Sequence, residues 1–136
     1  MTLTSAETTD GALLERRRQR LINAAMSDLE LAAAQALVEE ETILARESVL
    51  RALGLMDVPS EANIQWEGLA GRVYGLGLDE EQRAFLGLVL SMVGIGHVTL
   101  AAVTDLGERR LAIILRAIAR LAGNDTLAAG PVVGGE

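Results

Sequence analysis

The sequence predicts an all-α fold of a single domain. Hydrophobic residues make up 50% of the 136 residues but aromatic residues only 2%, so the apolar content is aliphatic, as in packed helices. Runs of strong helix formers are separated by glycines and by capping residues, and no segment alternates apolar and polar residues with the period of a strand. The length suits one domain with its own core.

The first element is predicted to be a flexible arm over residues 1–11. This segment consists mostly of small and polar residues without an apolar period. It also lacks the basic start and apolar run of a secretory signal, so we expect a cytoplasmic location.

A long helix is predicted to follow over residues 12–54. Neither glycine nor proline occurs from Ala12 to Leu53, and Gly54 provides a C-terminal stop. About 42 helical residues would extend roughly 60 Å, far beyond a compact domain of this size. Either a partner chain covers this helix or a break folds it back, and Ser27, with Glu30 three residues later, forms a capping box that favours a break there.

A stripe of apolar residues with coiled-coil spacing supports a partner chain. It recurs every seventh residue, and Glu39 and Arg46 lie on the same seam, where they would pair between chains. The alternative is that the stripe faces the protein's own core. The predicted oligomer or partner interface consists of Ile22, Leu29, Ala36, Ile43, Leu50, Glu39 and Arg46.

The remaining elements predict a compact bundle of three to four shorter helices over residues 60–123. Ser60 caps a helix over 61–74 that turns Trp66 inward, and Asp79 with Gln82 forms a capping box for a helix over 80–93. Two further helices are expected over 98–106 and 107–122. Residues 12–123 thus form one helical domain, followed by a flexible tail over 124–136.

The stretch from Ala84 to Thr104 carries no charged residue and is long enough to span a membrane. Two short buried helices joined at Gly94–His97 explain the same residues, and the cap at Asp79 favours this alternative. His97, the sole histidine, has no companion ligand in the sequence, which favours a core or loop position over a metal site.

The last helix has an arginine face opposite its apolar face. Three partners are open for the arginines: phosphates of nucleic acid, an anionic membrane surface, or the acidic block of the first helix. The net charge of −7 disfavours a polyanion. The candidate contacts to an anion or nucleic acid are Arg109, Arg110, Arg116 and Arg120.

No enzymatic function is expected. The chain has no cysteine and no lysine, and it lacks both the nucleophile elbow and the phosphate-binding loop. No cofactor or metal site is expected either. We therefore predict a helical interaction, assembly or regulatory protein that acts through homo-oligomerisation or packing against a partner helix; the alternatives are a DNA-binding regulator and a small membrane protein spanning 84–104.

Overall fold

The computed structural model of the protein describes residues 2–56, 64–96 and 98–123, with side chains from Gly11 onward. These ranges contain helices and no strand, which confirms the all-α fold class. The α-helices are α1 (Thr2–Asn23), α2 (Asp28–Glu40), α3 (Glu47–Leu53), α4 (Trp66–Ala70), α5 (Glu80–Met92) and α6 (Glu108–Leu121).

Of the two alternatives for the long helix, the structure has the break at Ser27. Helix α1 ends at Asn23, and the Ser27 hydroxyl then accepts a hydrogen bond of 3.2 Å from the backbone N–H of Glu30, which starts α2. Helix α1 itself begins at Thr2, within the segment for which the composition predicts an arm; the flexibility of that segment stays a prediction.

A second break, which the sequence does not predict, divides the remainder of the expected helix between α2 and α3. Glu41 has a φ of +77°, and the N–H of Thr42 bonds to the carbonyl of Glu40 at 2.9 Å, so three residues reverse the chain. Neither glycine nor proline marks this turn. The continuous helix over 12–54 is therefore corrected to three helices.

These two breaks change the meaning of the seven-residue stripe. Ala36 on α2, Ile43 in the turn and Leu50 on α3 all lie in the protein's own core, and Ala36 and Ile43 are completely buried. These residues therefore do not line one straight helix; they lie on two helices and the turn between them, and they face the same core. The alternative in which it packs within the chain accounts for these three residues.

The chain from residue 64 to α5 is less helical than expected. The described part of the predicted helix over 61–74 contains the five residues of α4 and a short 3₁₀ helix, Val73–Gly75, while Ser60 and residues 61–63 lie outside the described residues. Trp66 and Leu69 of α4 are buried, as the sequence predicts. The capping box of α5 is confirmed: Asp79 accepts from the Gln82 N–H, and the Gln82 side chain accepts from the Asp79 N–H.

The uncharged stretch after Arg83 is interrupted. Helix α5 ends at Met92, Gly94 adopts a φ of +79°, and a 3₁₀ helix, Leu100–Asp105, leads to α6. A Cβ at Gly87 would lie 2.6 Å from a methyl group of Val98, so this glycine lets the returning chain approach α5. In the ranges described, no helix has the length and apolar character needed to cross a bilayer. His97 and the predicted tail over 124–136 lie outside those ranges.

Helix α2 packs against both α5 and α6, which also pack against each other. The core between them is aliphatic, with Phe85 as its large aromatic residue. Helix α1 contacts α2, and its Leu21 is fully buried. This arrangement brings the C-terminal end of α2 beside α6, and ion pairs connect the two helices there.

Candidate functional site

The arginine face of α6 lies against the C-terminal end of α2. The guanidinium of Arg109 donates to the backbone carbonyl of Glu39 at 2.8 Å and to that of Glu40 at 3.0 Å. The last carbonyls of a helix have no partner within the helix and carry its partial negative charge. Arg109 therefore caps α2 from a different helix.

Arg110 forms an ion pair with a buried carboxylate. Its guanidinium lies 2.8 Å from Glu40 Oε2 and, on its other side, 3.0 Å from Glu81 Oε2. Glu40 is completely buried; it also accepts hydrogen bonds from the Thr42 hydroxyl and, at 2.8 Å, from the N–H of Ile43. Burial of a carboxylate requires such partners, because its hydration is lost.

Glu81 and Gln82 connect this cluster to α5. The N–H of Gly107 donates to Glu81 at 2.8 Å, and this hydrogen bond, followed by the one from Arg110, lowers the pKa of Glu81. The Gln82 side chain donates to the Thr42 hydroxyl at 3.0 Å. The cluster thus joins the end of α2 to the first turns of α5 and α6.

Arg116 and Arg120 share one carboxylate. Each places a guanidinium nitrogen within 3 Å of Glu39, at 2.8 Å for Arg116 and 2.9 Å for Arg120. The four arginines of the predicted anion-binding face therefore all contact α2. Among the partners that the sequence leaves open, the structure brings them to the acidic block of residues 39–40.

The opposite side of α6 is apolar and incompletely covered. Ile113, Ile114 and Ala117 point into the core, whereas Leu115 is 57% exposed and Ile118 is 42% exposed. The half-buried Leu111 and the exposed apolar residues that follow it on this side are spaced by four, three and four residues. We call them the outer stripe: Leu111, Leu115, Ile118 and Ala122.

A groove of about 290 Å³ runs beside the outer stripe. Met92 of α5 and Ile114 and Leu121 of α6 contribute to its lining, and Leu100, itself 71% exposed, stands at its edge. An apolar cavity of about 150 Å³ is enough to hold benzene, so this apolar groove has room for large aliphatic side chains. The outer stripe and the apolar groove form one continuous apolar surface.

A wider cleft of about 580 Å³ lies on the other side of the Val98 segment, between Tyr74 and α5. Arg83 at its rim donates to the carbonyl of Leu78 at 2.7 Å, and its guanidinium lies 5.4 Å from the centre of the Tyr74 ring. This guanidinium is thus held within the chain. In the ranges that the structure describes, no three histidine or acidic side chains are grouped to hold a metal ion.

The remaining residues of the predicted interface are dispersed. Ile22 is partly buried against the core, Leu29 is 48% exposed on α2, and Arg46 lies exposed before α3. Glu39 pairs with α6 and not with Arg46. The structure does not bring these residues together as one surface.

The exposure of Leu100 and the outer stripe was not predicted. The sequence places Leu115 and Ile118 on the apolar face of the last helix, and it does not show which part of that face the core covers. A signal was present, since apolar residues extend from Leu111 through Ile113 to Ile118 and cover more of the helix than one packing face requires.

Comparison with protein-family models, with curated proteins and with solved structures gives no match.

Proposed function

We propose that this protein is a non-catalytic association module that binds a polypeptide helix through the outer stripe and the apolar groove. The observation that carries the proposal is the exposure of Leu115 and Ile118 one turn apart on α6, beside a groove that Ile118 and the exposed Leu100 line. Clustered large aliphatic side chains at the surface are typical of sites for protein partners, whereas isolated ones are common everywhere.

The polar side of α6 supports the same proposal. Its arginines are engaged by α2, so the helix is fixed in place by one side while the other side stays apolar and accessible. An amphipathic helix laid along such a groove would bury its own apolar face there.

Site-specific photocrosslinking in the cells that produce the protein tests this proposal. A photoreactive residue at position 115 is expected to yield covalent adducts with a polypeptide. The same residue at Tyr74, which is 89% exposed, serves as the control and should yield far fewer.

A third position separates the two candidate surfaces. Leu29 belongs to the interface predicted from the seven-residue stripe and is also exposed. Adducts from position 29 in place of position 115 would contradict the assignment to α6. Adducts from neither position would contradict association altogether.

A further inference from the structure

We propose that the occupant of the outer stripe is the outer stripe of a second copy of this chain, packed antiparallel about a two-fold axis. This inference rests on the proposed function and adds the identity and orientation of the partner. Three features carry it: the spacing of the stripe, the charges around it and its size.

The spacing matches a helix pair. The members of the outer stripe follow one another by four, three and four residues, which is the spacing of a seam between two helices. A helix with the same spacing is the natural complement of such a seam, and a second α6 provides it. Leu115, which projects from the stripe, would then lie near the apolar groove of the other copy.

The charges favour an antiparallel copy. The chain has a net charge of −7, so two copies approach best through an uncharged surface, and the outer stripe carries no charge from Leu111 to Ala122. The exposed acidic residues Asp105 and Glu108 lie at one end of it. A parallel pair would bring these carboxylates together, whereas an antiparallel pair separates the two Glu108 residues by about 26 Å along the axis, at ~1.5 Å per residue.

The size of the surface predicts a reversible dimer. The outer stripe is roughly 18 Å long, about three helical turns, so the contact between two copies through α6 is short. A standard stable interface buries about 800 Å² per partner. We therefore expect association at micromolar or higher concentrations, with a population of dimers that depends on protein concentration.

Disulfide crosslinking tests the orientation, because the chain has no cysteine of its own. Two positions at opposite ends of the stripe are used, Leu111→Cys and Ala122→Cys. In the antiparallel dimer, a mixture of the two full-length variants crosslinks under mild oxidation, since position 111 of one copy lies beside position 122 of the other. Each variant alone stays uncrosslinked, because a disulfide requires Cα atoms within about 7 Å. Crosslinks within each variant alone would overturn the antiparallel arrangement.

Sedimentation equilibrium of the full chain tests the dimer itself. The mass is expected to rise from 14.4 kDa toward twice that value with concentration. Leu115→Glu should weaken dimerisation by about 100-fold or more, as for a central interface residue. Tyr74→Glu, a charge placed on an exposed residue outside the stripe, should leave it unchanged.

The effects of NaCl and of a Glu108 substitution on association are specific expectations for a dimer of this chain, as opposed to a complex with another polypeptide. Higher NaCl should strengthen a dimer of like-charged chains, and Glu108→Gln should strengthen it as well, because each Glu108 lies near the negative C-terminal end of the other α6. A monomeric mass up to about 1 mM, far above the micromolar range expected from the interface area, overturns the dimer. If position 115 then still forms adducts with another polypeptide in cells, the proposed function stands without this inference.

Discussion

Glu40 and Gln82 are the polar side chains that the described part of the chain buries in its core. Both reach Thr42, and Glu40 also accepts from Ile43 and Arg110, so donors from the turn after α2 and from α6 surround the buried carboxylate. Removal of Arg110 would leave the Glu40 carboxylate buried without a cation, whereas removal of Glu40 leaves Arg110 paired with Glu81. The contribution of Glu40 to stability therefore depends on the buried donors that would lose their acceptor without it.

Glu40→Ala is expected to lower the free energy of unfolding by about 2–3 kcal/mol, because the Ile43 N–H loses its buried acceptor and Arg110 loses one of its two carboxylates. Urea denaturation of both chains measures this difference. Glu47→Ala is the matched control: it breaks the exposed pair of 3.6 Å between Glu47 and Arg51 and should cost less than about 1 kcal/mol. Equal effects of the two substitutions would contradict the importance of burial.

Glu81 makes the stability depend on pH. Its pKa is lowered in the folded protein, chiefly by the N–H of Gly107, so folding favours the ionised carboxylate. The corresponding stabilisation is present above the ordinary glutamate value of 4.5 and disappears as the pH falls through the lower folded value. Glu81→Gln should thus destabilise the protein at pH 7, and its difference from the natural chain should shrink toward pH 3.

Urea denaturation at several pH values measures this convergence. Glu67→Gln, on the exposed side of α4, reports the effect of removing a carboxylate elsewhere on the surface. A difference between Glu81→Gln and the natural chain that stays constant from pH 7 to pH 3 would show that the Gly107 contact does not depend on ionisation.

The helix ends show which parts of the fold the sequence can predict. The caps at Ser27 and Asp79 were predicted because each is completed by a residue three positions away. The end of α2 was missed because its partners are distant: Arg109 caps its carbonyls from about 70 positions further along the chain. Local patterns cannot reveal an end that tertiary contacts hold.

The turn at Glu41 has a backbone conformation that residues with a Cβ rarely adopt, since its φ is +77°. Glu41→Gly is expected to raise the free energy of unfolding by about 1 kcal/mol, because glycine adopts positive φ without the steric penalty. Thermal or urea unfolding provides the measurement.

Ala45→Gly, in the same connection between α2 and α3, is the matched control. Ala45 is exposed and its φ is not positive, so glycine there should add only flexibility to the unfolded chain and lower the stability slightly. Stabilisation by both substitutions, or by neither, would show that Glu41 is not strained.

At the scale of the whole molecule, α6 binds α2 through its arginine face and leaves part of its apolar face exposed. The sequence separates the arginine face from the apolar face and names the acidic block as one partner for the arginines. It cannot choose between that block and a phosphate, since Glu39 and Arg116 come together only after the chain reverses at Glu41. For the same reason, the sequence does not show that Leu115 stays outside the core.

Ile43 and Leu115 should therefore respond oppositely to a charge. Ile43 is completely buried, so Ile43→Asp places an unpaired charge in the core and should cost more than about 4 kcal/mol, enough to lower the melting temperature strongly. Leu115→Asp should leave the melting temperature of the monomer nearly unchanged. Calorimetry of dilute samples measures both, and a large drop for Leu115→Asp would place that residue in the core.

The contacts of Arg110 also determine which helix ends unfold together. Glu40, Glu81 and Arg110 belong to three different helices, and Arg110 is the partner that both carboxylates share, so withdrawal of the α6 end removes the cation from both of them. These ends should open together, as one cooperative unit, and not fray singly. Hydrogen–deuterium exchange of the natural chain should show a common opening free energy for the amides around residues 40, 81 and 110, and Arg110→Met should make their exchange rates independent.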